Sequence, residues 1–418
     1  MQHDLFNDSS LSFEYILKTD NNWTLFKSLY SHKLRPETIQ EVEKMLLCCN
    51  PENGFATFIC IHCGHTKKIP FSCKSKSCSR CGKKYTDTWS NELNATLLHT
   101  AHMHIVLTIP DKLWHYFQHD VSLQKLLLDT SGKTISKVFS LYNKQKLKIT
   151  TGTILVLHPF GDDLTPNFHV HAITTTGGLS KNNTWVHTNF IPYDAFRKIW
   201  QYEILTALRK QCPNLRYIID SCFKSNANGF LVFCVRKIHS TKLFLLKYLS
   251  RYVRHPAISN RRITAYNGTH VTFSYEKYGK NLYKTMPKLE FILAVLQHIT
   301  PKHFKVIRRL GLYSRRSKTK YNIASEILQP LSSNNTSTFN WRRNKMNFSG
   351  SDPIKCERCN HQMELLSITY PTKNGYKTIG GFHWVLREGA LDYVQHFQVP
   401  KSRIFKEQKR RSLHMSEL

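Results

Sequence analysis

Three groups of side chains in this sequence have types and spacings that can do chemistry. His169-Val170-His171 sets two imidazoles two residues apart. On a strand, side chains alternate with period two, so both rings leave one face and a single metal ion can meet both. Tyr248 and Tyr252 stand four apart in Tyr248-Leu249-Ser250-Arg251-Tyr252, a spacing that puts both phenols on one face of a helix. Taken alone, the imidazole pair can equally be packed or hydrogen-bonded, and the phenols can simply line a helix surface. The third group is cysteine. Seven of the twelve lie between Cys48 and Cys81. Cys60-x2-Cys63 and Cys78-x2-Cys81, separated by fourteen residues, are spaced as two knuckles giving four thiolates to one tetrahedral, structural zinc ion. Cys48, His65 and Cys73 are spare donors for a second site or a different ligand set. Without metal, so short a segment has little else to hold it together. Cys356-x2-Cys359 is half of a zinc site, needing His361, a distant cysteine or another chain to complete it.

The elements that must position these groups follow from the same pattern reading. Residues 36–47 form an amphipathic helix with Pro36 at its first position and acids in its first turns. Residues 84–99 read as a second helix. Residues 104–110 and 150–158 read as strands, with 168–173 completing a long-looped hairpin. Helical patterns follow at 193–211 and 240–253, where Leu243, Leu246 and Leu249 make an apolar stripe beside the phenols, and a further strand at 270–275. Strands and helices without regular βαβ alternation predict an α+β fold on an antiparallel sheet. The expected domains are 1–100, a helical lead-in and cysteine-rich zinc-binding module; 101–320, the domain that carries the histidine and tyrosine pairs; and 321–418, a linker and basic C-terminal region.

Composition narrows the partner. The chain has 418 residues, with 60 Lys and Arg against 28 Asp and Glu, a formal net charge of +32. With 41% hydrophobic and 12% aromatic residues there is enough apolar material for real cores, so this is a folded basic protein rather than a basic tail. A polyphosphate backbone rewards such charge through counterion release, which makes nucleic acid the leading partner and an anionic lipid surface the competing one. Lys67, Lys68, Lys74, Lys76, Arg80, Lys83 and Lys84 interleave with the cysteines, as a clamp on DNA phosphates would require. No run approaches the ~18 apolar residues of a membrane span. Nor does the N-terminus have a signal peptide's charged flank and apolar run, so a reducing cytoplasm is expected, in which cysteines bind metal rather than pair.

In order along the chain, these pieces resemble the HUH endonuclease domain of rolling-circle initiators. They are more closely similar to the rolling-circle transposases of the insertion-sequence ninety-one group. The resemblance rests on residues 72–81 of the cysteine module, His104-Ile105-Val106-Leu107-Thr108-Ile109-Pro110, Leu157-His158-Pro159-Phe160-Gly161, His169-Val170-His171 and Tyr248-Leu249-Ser250-Arg251-Tyr252-Val253. It continues through Ile258-Ser259-Asn260-Arg261-Arg262-Ile263 and residues 304–312, covering about 36–316. The chain departs from the family pattern at Ser77, where a histidine is common, and at Asn167-Phe168, where His-Pro is common.

The resemblance implies an HUH catalytic domain in which Tyr248 or Tyr252 attacks a scissile phosphate. A divalent ion, Mg²⁺ or Mn²⁺, is implied at His169 and His171, with His158 as the expected third ligand and His104 the next choice. Arg251, Arg254, Arg261 and Arg262, near the tyrosines, are expected to position phosphates. Single-stranded DNA at element ends is the implied substrate, in a bacterial cytoplasm and near the nucleoid. A plasmid or phage replication initiator is the nearest alternative, favoured less because of the cysteine module. A noncatalytic zinc-dependent DNA-binding regulator is the alternative from another class.

Overall fold

Helices in this protein are apolar along one stripe, and the stripes decide which sheet face each one covers. In Val121–Leu141 the buried residues Leu123, Leu127, Leu128, Ile135, Val138 and Phe139 fall on one side, and Asp120 caps the first turn by accepting from the Ser122 N–H at 2.7 Å. Tyr193–Gln211 repeats the pattern with Phe196, Trp200, Ile204, Leu205 and Leu208. The computed structural model describes residues 11–75, 77–143, 147–188, 191–238, 257–277, 279–328, 342, 345–346 and 350–380. Tyr248, Tyr252, Arg251, Arg254, the helix expected at 240–253 and the basic run at 401–411 lie outside the described residues.

The chain divides into two compact units. One joins residues 9–39 to 85–335; the other joins 40–84 to the part after 336.

The larger unit is built on an antiparallel sheet in the order Ile307–Gly311, Thr150–Phe160, Pro166–Leu179, His102–Thr108, Val232–Ile238, with Trp185–His187 pairing the far end of Pro166–Leu179. Helices Asp111–His119, Val121–Leu141, Tyr193–Gln211 and Arg216–Ser225 supply the core against Met103, Ile105, Leu107, Leu155, Leu157, Phe168, Val170 and Ala172. Each of these side chains larger than Ala172 contributes about 1.5–3 kcal/mol on burial. A separate cluster gathers Trp89, Leu93, Leu98, Ile154, Ile173, Leu312, Tyr313 and Ala324. Ile154 and Ile173 alternate with Leu155 and Ala172, so the sheet is covered on both faces. The edge turn needs a glycine: Gly311 has φ +57°, and a Cβ there would overlap the Thr151 carbonyl.

The N-terminal helices Phe13–Lys18 and Asn22–Tyr30 belong to this larger unit, although the sequence grouped them with the cysteine module. Their apolar stripe is the reason. Phe13 meets Phe291 edge-on at 6.1 Å, Phe291 packs on Phe273 at 5.7 Å, and buried Asn22 donates to the Tyr266 hydroxyl and the Ile16 carbonyl, both at 2.8 Å. Together with Lys288–Gln297 they cover the three-stranded sheet Ile263–Tyr266, His270–Lys277, Lys280–Pro287.

The smaller unit has a four-stranded sheet in the order Gly375–Gly380, Glu364–Thr372, Phe55–Ile59, Thr66–Pro70. Its core is Ala56, Phe58, Cys60, Ile354, Cys356, Met363 and Leu365. Residues 350–380, expected in a separate C-terminal region, thus complete the cysteine module: Phe55 pairs Thr369 and Ile59 pairs Glu364. The whole chain is α+β with antiparallel sheets, and an N-terminal cysteine cluster forms its zinc-binding module. Among the described residues no helix is long and apolar enough to cross a membrane.

Candidate active site and cysteine clusters

The histidine site is a product of strand register. Thr150–Phe160 and Pro166–Leu179 pair so that His158 stands opposite His169 and Val156 opposite His171, while Thr108 and Val106 flank the same two histidines from the other side. Period-two alternation sends Leu157, Phe168 and Val170 into the helix-covered core and leaves His158, His169 and His171 together on the opposite face. A slip of one residue would exchange the two sets, so the apolar burial itself holds the imidazoles in place. The strand end beside them is pinned by indole hydrogen bonds: Trp200 donates to the Thr108 carbonyl at 2.7 Å and Trp114 to the Ile109 carbonyl at 3.0 Å.

One ligand nitrogen from each of His158, His169 and His171 lies within 4.8 Å of the others. His158 Nδ1 and His169 Nε2 are 3.0 Å apart. Two nitrogens each about 2.1 Å from one ion, in adjacent coordination positions, would stand roughly 3.0 Å apart. His169 donates from Nδ1 to the Asn167 carbonyl at 2.8 Å, which sets its tautomer and turns Nε2 toward the cluster. His171 Nδ1 is 3.0 Å from His104 Nε2, so an ion on this face would meet Nε2 of His171. His104, the alternative third ligand, therefore stands behind His171 rather than within the three-histidine group.

Burial keeps these rings neutral. It pushes His169 down to about 4 and His171 to about 2, the latter helped by the neighbouring His169 and His104. His158 falls well below its ordinary value through burial and the proximity of His169, His171 and His298. Neutral imidazoles are the ligating form, so the donor set fits a divalent ion such as Mn²⁺, and Mg²⁺ where water and phosphate complete the shell. His298, which no motif marked, also reaches this region. It ends the helix Lys288–Gln297, lies 4.2 Å from the Phe160 ring, bonds the Leu164 carbonyl at 3.2 Å, and is pushed by burial down to about 4. A lone histidine after a helix has no sequence signal to reveal it.

Of the arginines expected on phosphate, Arg261 is exposed and Arg262 is half-buried. Arg262 Nε donates to the Ser274 carbonyl at 2.8 Å, and its guanidinium also meets the Asp162 carbonyl and lies over the Phe273 ring at 6.0 Å. It ties the histidine hairpin's loop to the neighbouring sheet.

The cysteines form two groups, not the single set of Cys60, Cys63, Cys78 and Cys81 expected from spacing. The first is Cys48, Cys73, Cys78 and Cys81, with Sγ separations of 3.8 Å for Cys48–Cys81 and 3.6 Å for both Cys73–Cys81 and Cys48–Cys78. The second is Cys60, Cys63, Cys356 and Cys359, with 3.4 Å for Cys60–Cys359 and Cys63–Cys359 and 3.6 Å for Cys63–Cys356. Zn–S bonds of about 2.3 Å in a tetrahedron place sulfurs roughly 3.7 Å apart, close to these edges. All eight thiols are free of disulfides. The physical reason is local: Cys78 directly precedes the helix Ser79–Thr96 and Cys81 lies in its first turn, while Cys60 and Cys63 sit on the turn after Phe55–Ile59, whose sheet partner is Glu364–Thr372. Lys67, expected on phosphate, pairs with Glu357 at 2.6 Å.

Two family models match parts of the chain. Residues 152–320 match a family model described as "Putative transposase", and residues 19–109 match one described as "Transposase zinc-binding domain". The "Transposase for insertion sequence element IS801" of Pseudomonas savastanoi pv. phaseolicola is 26% identical over 349 residues, covering 79% of this chain and 83% of that protein. The "Putative transposase y4qJ" of Sinorhizobium fredii (strain NBRC 101917 / NGR234) is 25% identical over 347 residues, 77% of this chain and 86% of that one. No solved structure matches the chain.

Proposed function

We propose that the chain is a transposase of the insertion-sequence ninety-one group that acts on DNA, nicking and joining single-stranded element ends through a 5′-phosphotyrosine on Tyr248 or Tyr252. The observation that carries this reading is the convergence of three neutral imidazoles on one face of a rigid sheet.

His158, His169 and His171 would hold a divalent ion, Mg²⁺ or Mn²⁺, whose charge polarises a scissile phosphate when bound. The chain supplies the rest. The Asn167 carbonyl and His104 orient the ligand rings, and burial keeps them unprotonated through the neutral pH range. A phenol with an ordinary pKa near 10 is a weak nucleophile, so its target must be made electrophilic. The Tyr248 or Tyr252 oxygen bonds to phosphorus, the P–O3′ bond breaks, the phenol proton is lost and the departing 3′ oxygen takes one up. One phosphodiester-type bond replaces another, so no nucleotide cofactor is consumed. The second phenol can then cleave or accept a second strand while the first holds its 5′ end, and attack by a 3′-OH rejoins DNA. Exposed Arg261, with Arg251 and Arg254, would position phosphates.

The test is to incubate purified protein with an element-end oligonucleotide and Mg²⁺ or Mn²⁺. A covalent protein–DNA adduct should form and disappear when Tyr248→Phe and Tyr252→Phe are combined. An adduct unchanged in the double variant would overturn the assignment.

A further inference from the structure

The two knuckles of the second cysteine group are built alike. In the first, the Cys60 N–H donates to the His65 carbonyl at 2.8 Å and the Gly64 N–H to the Cys60 carbonyl at 2.8 Å. In the second, the Cys356 N–H donates to the His361 carbonyl at 2.8 Å and the Asn360 N–H to the Cys356 carbonyl at 3.0 Å. Gly64 and Asn360, each following the second cysteine of its pair, have φ of +69° and +63°, the left-handed turn that Gly and Asn adopt most readily. The sequences correspond position by position: Cys60-Ile61-His62-Cys63-Gly64-His65 and Cys356-Glu357-Arg358-Cys359-Asn360-His361.

Each knuckle closes a pair of antiparallel segments, Phe55–Ile59 with Thr66–Pro70 in one case, and the Lys355–Gln362 bridge in the other. The pairing of Ile59 with Glu364 brings them to the same end of the sheet. They also meet outside the sulfurs: His62 stacks on His361 at 4.0 Å between centroids, and Lys67 pairs with Glu357 at 2.6 Å. Two matched turns facing each other with four sulfurs at metal-sharing separations make a split zinc ribbon.

We propose that Cys60, Cys63, Cys356 and Cys359 bind a second structural zinc ion, separate from that of Cys48, Cys73, Cys78 and Cys81, and that this ion staples residues 350–380 to the N-terminal module. Two of its ligands lie beyond both matched family stretches, 19–109 and 152–320, so the site is not contained in either domain. Its halves are 293 to 299 residues apart in sequence. In the unfolded chain they meet only by closing a very long loop, so a metal bond that fixes them removes substantial chain entropy. The smaller unit has only a small buried apolar cluster, so a metal bond there adds to what holds it closed.

The full-length protein should contain two zinc ions per chain by elemental mass spectrometry. Cys60→Ser with Cys63→Ser should leave one, and so should Cys356→Ser with Cys359→Ser. The quadruple variant should also leave one, because both pairs share an ion. Cobalt substitution of each should show the absorption of a tetrahedral tetrathiolate site. A Cys356/Cys359 variant that keeps two ions, or a quadruple variant with fewer ions than either double, would overturn the proposal. Should a variant fail to fold, thiol alkylation of the wild type under graded chelator decides: Cys60, Cys63, Cys356 and Cys359 should become reactive in one step. Cys356 and Cys359 reacting freely before any chelator is added, or apart from Cys60 and Cys63, would refute it.

Discussion

Replacing His104 by Phe isolates what the ring behind the site contributes. His104 Nε2 lies 3.0 Å from His171 Nδ1, and the two rings are nearly parallel, 7° apart with centroids at 5.3 Å. Phenylalanine preserves the ring and its packing but removes the nitrogen. A second ring that orients a metal-binding imidazole is typically worth 10- to 100-fold in affinity, which is about 1.4 to 2.7 kcal/mol. Loss of the hydrogen bond costs the fold about 1–3 kcal/mol, a melting shift of a few degrees. The expected outcome for His104→Phe is therefore a 10- to 100-fold rise in the Mn²⁺ concentration that half-saturates adduct formation, with the yield at saturating Mn²⁺ within about twofold of wild type. His104→Gln, which keeps a polar partner, should recover part of the affinity. Mn²⁺ binding followed by electron paramagnetic resonance reads the same shift without catalysis. An unmoved half-saturation point would refute the orienting role, and a yield that collapses even at saturating Mn²⁺ would place His104 in the chemistry itself.

Three further outcomes follow. Gly311→Ala should cost at least ~1–3 kcal/mol in thermal or urea unfolding, because it combines φ +57° with a Cβ against the Thr151 carbonyl; a wild-type midpoint would show that the edge turn relaxes freely. Buried His102 and His298 are both pushed by desolvation to about 4, below the ordinary 6.5, so the unfolded chain binds more protons between those values. Stability should be complete above about pH 6.5 and fall as pH drops toward 4, and a flat melting temperature across that window would contradict it. Arg261→Gln should lower the salt dependence of single-strand binding by about 0.7 in the log–log slope, as loss of one phosphate contact does. Arg262→Gln should leave the slope unchanged and instead speed hydrogen exchange in residues 161–165, since its partners are Asp162 and Ser274.

What could be read in advance depended on how far a signal extends along the chain. Alternation located the histidine hairpin, and the helix pattern at 193–211 coincides with Tyr193–Gln211, because each records which side chains one element buries. The pairing of His158 opposite His169 is a matter of register, which the sequence pattern did not specify. The grouping of the cysteines could not be read this way. Spacing within residues 60–81 favoured a local set of four, whereas the partners of Cys60 and Cys63 arrive about 300 residues later and are chosen by a sheet pairing. The same limit hid the home of the first helices. Phe13 and Asn22 find Phe291 and Tyr266, and nothing local to residues 11–30 announces them. Arg262 read as a phosphate contact because charge is visible in sequence, while the carbonyls that engage it are not.

The order in which the two units draw on the polypeptide affects what a damaged gene copy can produce. Residues 9–39 serve one unit, 40–84 the other, 85–335 the first again, and the remainder the second. A break anywhere from 40 to 328 therefore divides both at once. A protein made of consecutive domains would, when cut short, leave one domain whole. Here a reading frame interrupted between 40 and 328 leaves neither unit whole.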